Sequence, residues 1–303
     1  MNTQSSATTE PSIQSPAAAS AARAMYWSIR RELWENRSIY IAPLAAAAVF
    51  LFGFAINMVN MRRRFGASLL DPAQQHDLLA TRYELSAALI MGTALIVGVF
   101  YSLDALYGER RDRSILFWKS LPVSDLTAVL SKLTIPLVIL PLLSFAISLA
   151  TQFIMLLLSS VILLGSGVNI AALWTEASFF HVSLVLLYHL LTVHGLWYAP
   201  LYGWLLLVSA WAPRAPFIWA VLPPFVICGV EKVAFNTSHF LALLQERLVG
   251  SGDTMGPNGA PKDFMATLIP DHFFDTPGLW IGLALAVVFL FAAVRLRRYR
   301  GPI

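Results

Sequence analysis

The sequence predicts an all-α, polytopic membrane protein of six spans, and three observations carry that prediction. Of 303 residues, 57% are hydrophobic and only 13% charged, where an ordinary soluble domain carries roughly 25% charged residues. Mean hydropathy is +0.67. The apolar residues also gather into runs of about 20, the length that crosses a hydrocarbon core as a helix. The single cysteine, Cys228, excludes an intrachain disulfide. Arginines flanking the apolar runs supply much of the formal net charge of +4. That pattern suits anionic lipid, whereas nucleic-acid binding wants a basic stripe on a folded face.

Residues 1–22 are mostly Ser, Thr, Ala and Gln with two prolines and no apolar core. They read as a disordered tail, neither signal peptide nor span, ahead of one membrane domain over 23–303. Between Arg23 and Ser38, Tyr26, Ile29 and Leu33 line one side of a helix with Trp27 and Trp34 beside them. Ser28, Arg31, Glu32 and Glu35 lie opposite. Arg30 and Arg37 fall near the apolar side, where long stems snorkel to headgroups. This is the pattern of a helix lying in the interface.

The spans are expected at about 39–59, 85–106, 133–164, 177–211, 216–235 and 279–296. Pro43 sits in the first turn of the first, where a missing N–H costs little, and Pro136 and Pro141 are expected to kink the third. The fourth run is too long for an upright span at 1.5 Å per residue and must tilt or bend near Pro200. Six spans put both termini on one side. With that side inside, two-thirds of the 21 Lys and Arg are internal, which makes both ends cytoplasmic in an inner or plasma membrane. Arg62, Arg63 and Arg64 fall outside and violate the rule. In the long outer segment, Phe240, Leu244 and Leu248 recur at helical spacing behind Ser238, while 250–261 is a Gly- and Pro-rich loop. Phe264–Ile269 is expected to dip back into the interface.

The inner loop from Tyr107 to Lys132 has its own order. A charged cluster of Glu109, Arg110, Arg111, Asp112 and Arg113 precedes Ser114 and an apolar patch, Ile115–Trp118. Lys119, Ser120 and the helix-breaking pair Leu121-Pro122 follow. Ser124 and Asp125 then suit a new helix start. A helix over 114–121 would place Ile115, Trp118 and Leu121 on one face with Phe117 beside them.

This loop, ERRDRSILFWKSLPVSD followed by VLSK, closely resembles the cytoplasmic loop after the second span in permease subunits of type-2 ATP-binding-cassette (ABC) exporters. The likeness is dense over Leu103–Leu133 and elsewhere extends only to span number and loop lengths. It implies a short coupling helix seated in a groove of a separate P-loop ATPase, an interfacial helix before the first span, and partly re-entrant helices in the outer segment. Glu109, Arg110, Arg113, Ser114, Phe117, Trp118, Ser120, Leu121 and Pro122 then form the ATPase-coupling site. The resemblance implies a permease dimer, homo- or heteromeric, with ATP and magnesium held by the ATPase subunits.

Catalytic and metal motifs are absent. There is no GxxxxGK[ST], HExxH, CxxC or GxSxG, so the chain carries no P-loop ATPase site and reads as a transporter subunit rather than an enzyme. His181, His189 and His194 are spaced eight and five apart, which does not stack ligands on a helix face. Asp104, Glu231 and Lys232 lie at span ends, and no acidic or basic residue other than histidine sits at depth. That disfavours an ion-coupled carrier and calls for an outside energy source. A weaker candidate for a translocation path is the helical face of Tyr188, Thr192, Gly195 and Tyr202; interhelical hydrogen bonding explains the same residues. Gly278 and Gly282 straddle a span start, where no close packing is assured. The expected function is export coupled to ATP hydrolysis on a partner. The alternatives are a permease assisting assembly of a surface or cofactor machine, and a membrane scaffold recruiting a soluble protein.

Overall fold

The computed structural model describes residues 17–64, 72–120, 123–163, 183–184, 187–188, 190–249 and 273–303. The elements, in chain order, are α1 (Ala17–Glu35), α2 (Ser38–Arg64), α3 (Pro72–Ala105), α4 (Tyr107–Arg111), α5 (Ile115–Ser120) and α6 (Asp125–Thr134). A π-turn (Ile135–Ile139) leads into α7 (Leu140–Leu163), and a π-helix (Leu190–Trp197) leads into α8 (Ala199–Trp211). Then come α9 (Pro216–Phe235), α10 (His239–Val249), a 3-10 turn (Phe273–Asp275) and α11 (Pro277–Tyr299). Among the described residues there is no strand.

Among the described residues five stretches are long and apolar enough to cross a membrane: Ser38–Asn60, Leu85–Arg111, Asp125–Ile162, Pro216–Phe235 and Pro277–Tyr299. The chain is thus an all-α, multi-pass membrane protein. The expected fourth span falls partly outside the described residues, as do the loop 250–261 and Phe264–Ile269. Helix punctuation follows the expected chemistry. The Ser124 hydroxyl caps α6, accepting from Thr127 N at 3.1 Å. Proline occupies the first turns of α8, α9 and α11. Pro136 sits in the π-turn, whose wider register accommodates a residue with no N–H to donate.

Two expectations change at the N-terminal end. Helix α1 starts at Ala17, inside the stretch expected to be disordered, because AAASAA is itself strongly helix-forming. Its polar face is not solvated throughout: Glu32, placed on that face with Arg31 and Glu35, is only 2% exposed. Ile29 and Leu33 pack inward beside Ile39, Ala94 and Tyr101, whereas Tyr26, Trp27 and Trp34 face outward. The Arg30 guanidinium lies 5.1 Å from the ring of Trp27 and 5.0 Å from that of Trp34. An outward aromatic face with a cation over it suits the headgroup layer.

The bundle is built on α2, α3 and α7 on one side and α8 against α11 on the other. Gly203 permits the second contact, since a Cβ there would sit 3.4 Å from the Ala286 backbone. Helix α9 is nearly unsupported, with 6% of its most apolar window buried.

At the end remote from α1, Arg247 of α10 lies on α11. Its guanidinium stacks on Trp197 at 4.3 Å and donates to Gly278 O at 3.1 Å, and a Cβ at Gly282 would collide with it. The Gly278/Gly282 pair therefore seats an arginine rather than a second helix. Burial holds the Arg247 guanidinium below its ordinary pKa. Gly282→Ala should eject this flexible side chain. Global stability should change by no more than about 1 kcal/mol, because better helix propensity offsets the lost contacts. The readout is faster amide hydrogen exchange across α10; unchanged protection would show that the seat does not hold the helix.

Candidate functional site

The Tyr107–Lys132 loop is held from beneath by polar contacts. The Ser209 hydroxyl of α8 accepts from the Leu106 and Tyr107 amides at 3.0 and 2.9 Å, which fixes the break between α3 and α4. Arg110, only 5% exposed, donates to the carbonyls of Ser209, Ala210 and Ala212 at 3.4, 2.5 and 3.3 Å. It thereby satisfies the open C-terminal end of α8. Its charge is spent inside the protein and is not offered to a partner. Arg113, exposed and with φ at 59°, turns the chain into α5. The Ser114 hydroxyl reaches Glu109 O at 3.5 Å, and that of Ser120 bonds Phe117 O at 2.7 Å. Lys119 Nζ donates to the carbonyls of Arg298 and Arg300 at 3.2 Å each, tying α5 to the end of α11. Among exposed groups here, the bonded Arg111 guanidinium holds the Asp112 carboxyl below the usual carboxylate range.

Within α5, Ile115 and Trp118 share the inward side, and Phe117 turns away from it. Ile115 is buried. Trp118 is half-buried, with its ring 3.6 Å from the Arg31 guanidinium and edge-on to Phe117 at 4.9 Å. Leu116 and Phe117 are each 59% exposed and form the outward surface. Leu121 and Pro122 lie outside the described residues.

Behind Trp118 lies a buried ionic knot. Lys132 Nζ sits 2.8 Å from Glu32 Oε1 and 3.2 Å from Glu109 Oε1. Arg31 Nη2 reaches the same two oxygens at 2.9 and 3.2 Å. Arg297 joins Glu109 Oε2 at 3.4 Å to Asp125 Oδ1. The Tyr101 hydroxyl donates to Glu32 Oε2 at 2.9 Å, so all four oxygens of the two glutamates are engaged. A cavity of about 170 Å³ opens beside it, walled by Trp27, Arg31, Glu32, Glu109, Trp118 and Lys132 among others. Three acids and three bases thus link α1, the end of α3 with α4, α6 and α11. Charges this deep persist only when paired and hydrogen-bonded.

No family model, curated protein or solved structure matches this chain. The site is therefore read from its own geometry.

That geometry brings together Glu109 and Trp118 of the expected coupling residues and adds Arg31, Glu32, Asp125, Lys132 and Arg297, whose joint role sequence reasoning missed. A signal was present. Lys132 lies three residues beyond the buried Val129 on α6, and Glu32 lies three beyond Ile29. Both are charges at inward-facing spacing, and their signs balance only when segments 100 residues apart are considered together.

The expected translocation face is not continuous. Tyr188 is 39% exposed, Thr192 is buried with its hydroxyl on Tyr188 O at 2.7 Å, and Tyr202 is wholly buried among Leu103, Leu205 and Val208. The intervening π-helix shifts the register on which that face was counted. Among the described residues no group of three or more His, Cys, Asp or Glu is placed to hold a metal ion. The side chains of His181, His189, His194 and Arg62–Arg64 fall outside the described residues.

Proposed function

We propose that the chain is the membrane-spanning permease subunit of an ATP-driven exporter of the type-2 ABC kind. It would have six spans, the fourth over 177–211, with both termini cytoplasmic. It would work as a permease dimer with separate ATPase subunits that hold ATP and magnesium. One observation carries this reading: α5 presents Leu116 and Phe117 outward while its inner side, through Ile115 and the Trp118–Arg31 stack, rests on a charge knot that ties four helical segments together. A push on α5 is therefore passed to α1, α3, α6 and α11 together. The likeness of the loop's residues to the coupling segment of such permeases supports the same assignment.

In this mechanism closure of the ATPase pair moves α5, and the knot converts that displacement into a tilt of the spans toward an outward opening. Phe117 and Leu116 are the grip, while Trp118 is a positioning residue that acts through Arg31. The test uses the detergent-solubilised, affinity-tagged chain from its native membrane. A P-loop ATPase, identified by ATP photo-crosslinking, should co-purify. Phe117→Asp should weaken that association by about 2 kcal/mol or more, as for a central contact residue, at unchanged expression. Trp118→Ala should retain the ATPase yet lose stimulation of its turnover by the permease. A soluble partner without a P-loop would instead make the chain a scaffold. Retention of the ATPase by Phe117→Asp would remove α5 as the grip.

A further inference from the structure

Helix α7 carries Ser144, Ser148, Thr151, Gln152 and Ser159 on one face at helical spacing, and each is at most 3% exposed. Three of these hydroxyls are satisfied within the helix: Ser144 on Leu140 O, Thr151 on Ile147 O and Ser159 on Met155 O, at 2.7, 2.7 and 2.8 Å. Ser148 Oγ and Gln152 Nε2 have no hydrogen-bond partner among the described residues, and neither does the Tyr83 hydroxyl of α3. The face looks toward α2 and α3. Ile147 packs with Ala47 and Ile90, and Met155 with Phe54 and Met58, with Tyr83 beside them. Ser148 and Gln152 fall between those two contact levels, deep in a span.

Orphaned buried donors are rare and expensive, and hydrocarbon has no water to relieve them. A side chain present only for packing would be apolar here. Charge also selects the class of occupant. The Ile39–Asn60 part of α2, the Leu85–Leu103 part of α3, and all of α7 contain no Asp, Glu, Lys, Arg or His, so these three stretches supply nothing that would compensate an ion.

We propose that the Ser148–Gln152 face is a hydrated polar site at membrane depth that takes uncharged hydrogen-bonding groups, with water as its resting occupant. It is reached when α7 parts from α2 and α3. The site stands on its own geometry and holds whether or not an ATPase drives the chain.

The test replaces the only cysteine (Cys228→Ala) and introduces Ser148→Cys, Gln152→Cys or, on the lipid-facing side of α7, Phe153→Cys in the full chain in lipid vesicles. The probes are neutral hydroxyethyl methanethiosulfonate and its trimethylammonium analogue. Thiol reagents need thiolate, which forms only where water reaches the sulfur. The neutral reagent should modify the first two variants at least about tenfold faster than Phe153→Cys, and faster than the cationic reagent does. Rates no greater than at Phe153→Cys would overturn the site, and faster reaction with the cation would overturn its selectivity. Hydroxyl-radical footprinting of the unsubstituted chain supplies a second reading without any variant. Met155, fully buried at the foot of the seam, should gain oxygen from adjacent water. Oxidation of Met25 on α1 with Met155 untouched would mean a dry seam.

Discussion

Lys132→Met should lower the unfolding free energy by about 3–5 kcal/mol, the loss seen when one partner of a buried charge cluster is removed. Methionine fills the space of the lysine stem, so little packing is lost and the change isolates the ammonium. Lys132 is 3% exposed and is the cation shared most closely by Glu32 and Glu109. Without it, both carboxylates face each other across the cavity with only Arg31 to bridge them. Thermal unfolding in detergent or nanodiscs measures the effect. The double change Lys132→Met with Glu32→Gln should recover part of the loss, because the stranded charge goes with its partner. An unchanged midpoint in the single variant would mean the knot is solvated and does not bind the four segments together.

The second large effect is expected at Arg110→Ala, which should cost about 1.5–3 kcal/mol, the range for a hydrogen bond to a charged group. Three carbonyls at the end of α8 converge on this one guanidinium. Removing it strands them in a buried place. Arg110→Lys should rescue little, since an ammonium is a compact point charge without the planar fork that spans several acceptors. Besides the lower midpoint, amide exchange should accelerate in α4 and α5, because Arg110 anchors the loop that presents Phe117. Full rescue by lysine would show that charge alone, not the fork, holds the helix end.

Spacing within the loop does not give the places of Arg110 and Trp118. The resemblance places Arg110 among the residues of the coupling site, whereas its side chain is buried against the end of α8. The carbonyls at the end of α8 lack local donors, and Arg110 is the donor within reach. Spacing puts Trp118 on one face with Ile115, and the structure turns that face inward. Arg31 of α1 covers its ring, which leaves Leu116 and Phe117 as the free surface. Neither placement can be read from spacing within the loop, because each depends on a segment elsewhere in the chain, Arg31 of α1 for Trp118 and the end of α8 for Arg110. The α7 polar face was legible in principle, since Ser144, Ser148, Gln152 and Ser159 repeat at helical intervals. Strong average hydropathy hid it, and only neighbouring helices show which of its hydroxyls and amides go unpaired.

Hydropathy, run length and local punctuation sufficed for an all-α, multi-pass membrane protein, for five of the six expected spans as helices long and apolar enough to cross among the described residues, and for the Ser124 cap. Each depends on transfer energy or on hydrogen bonds within a few residues, and both are written in consecutive positions. Which charges are buried, which aromatic ring is free and which glycines are filled were decided by tertiary packing alone. An ion pair or a stacked ring gains its energy from the distance between side chains, and for Glu32 with Lys132, or Arg247 with Gly282, that distance is set by how whole helices cross.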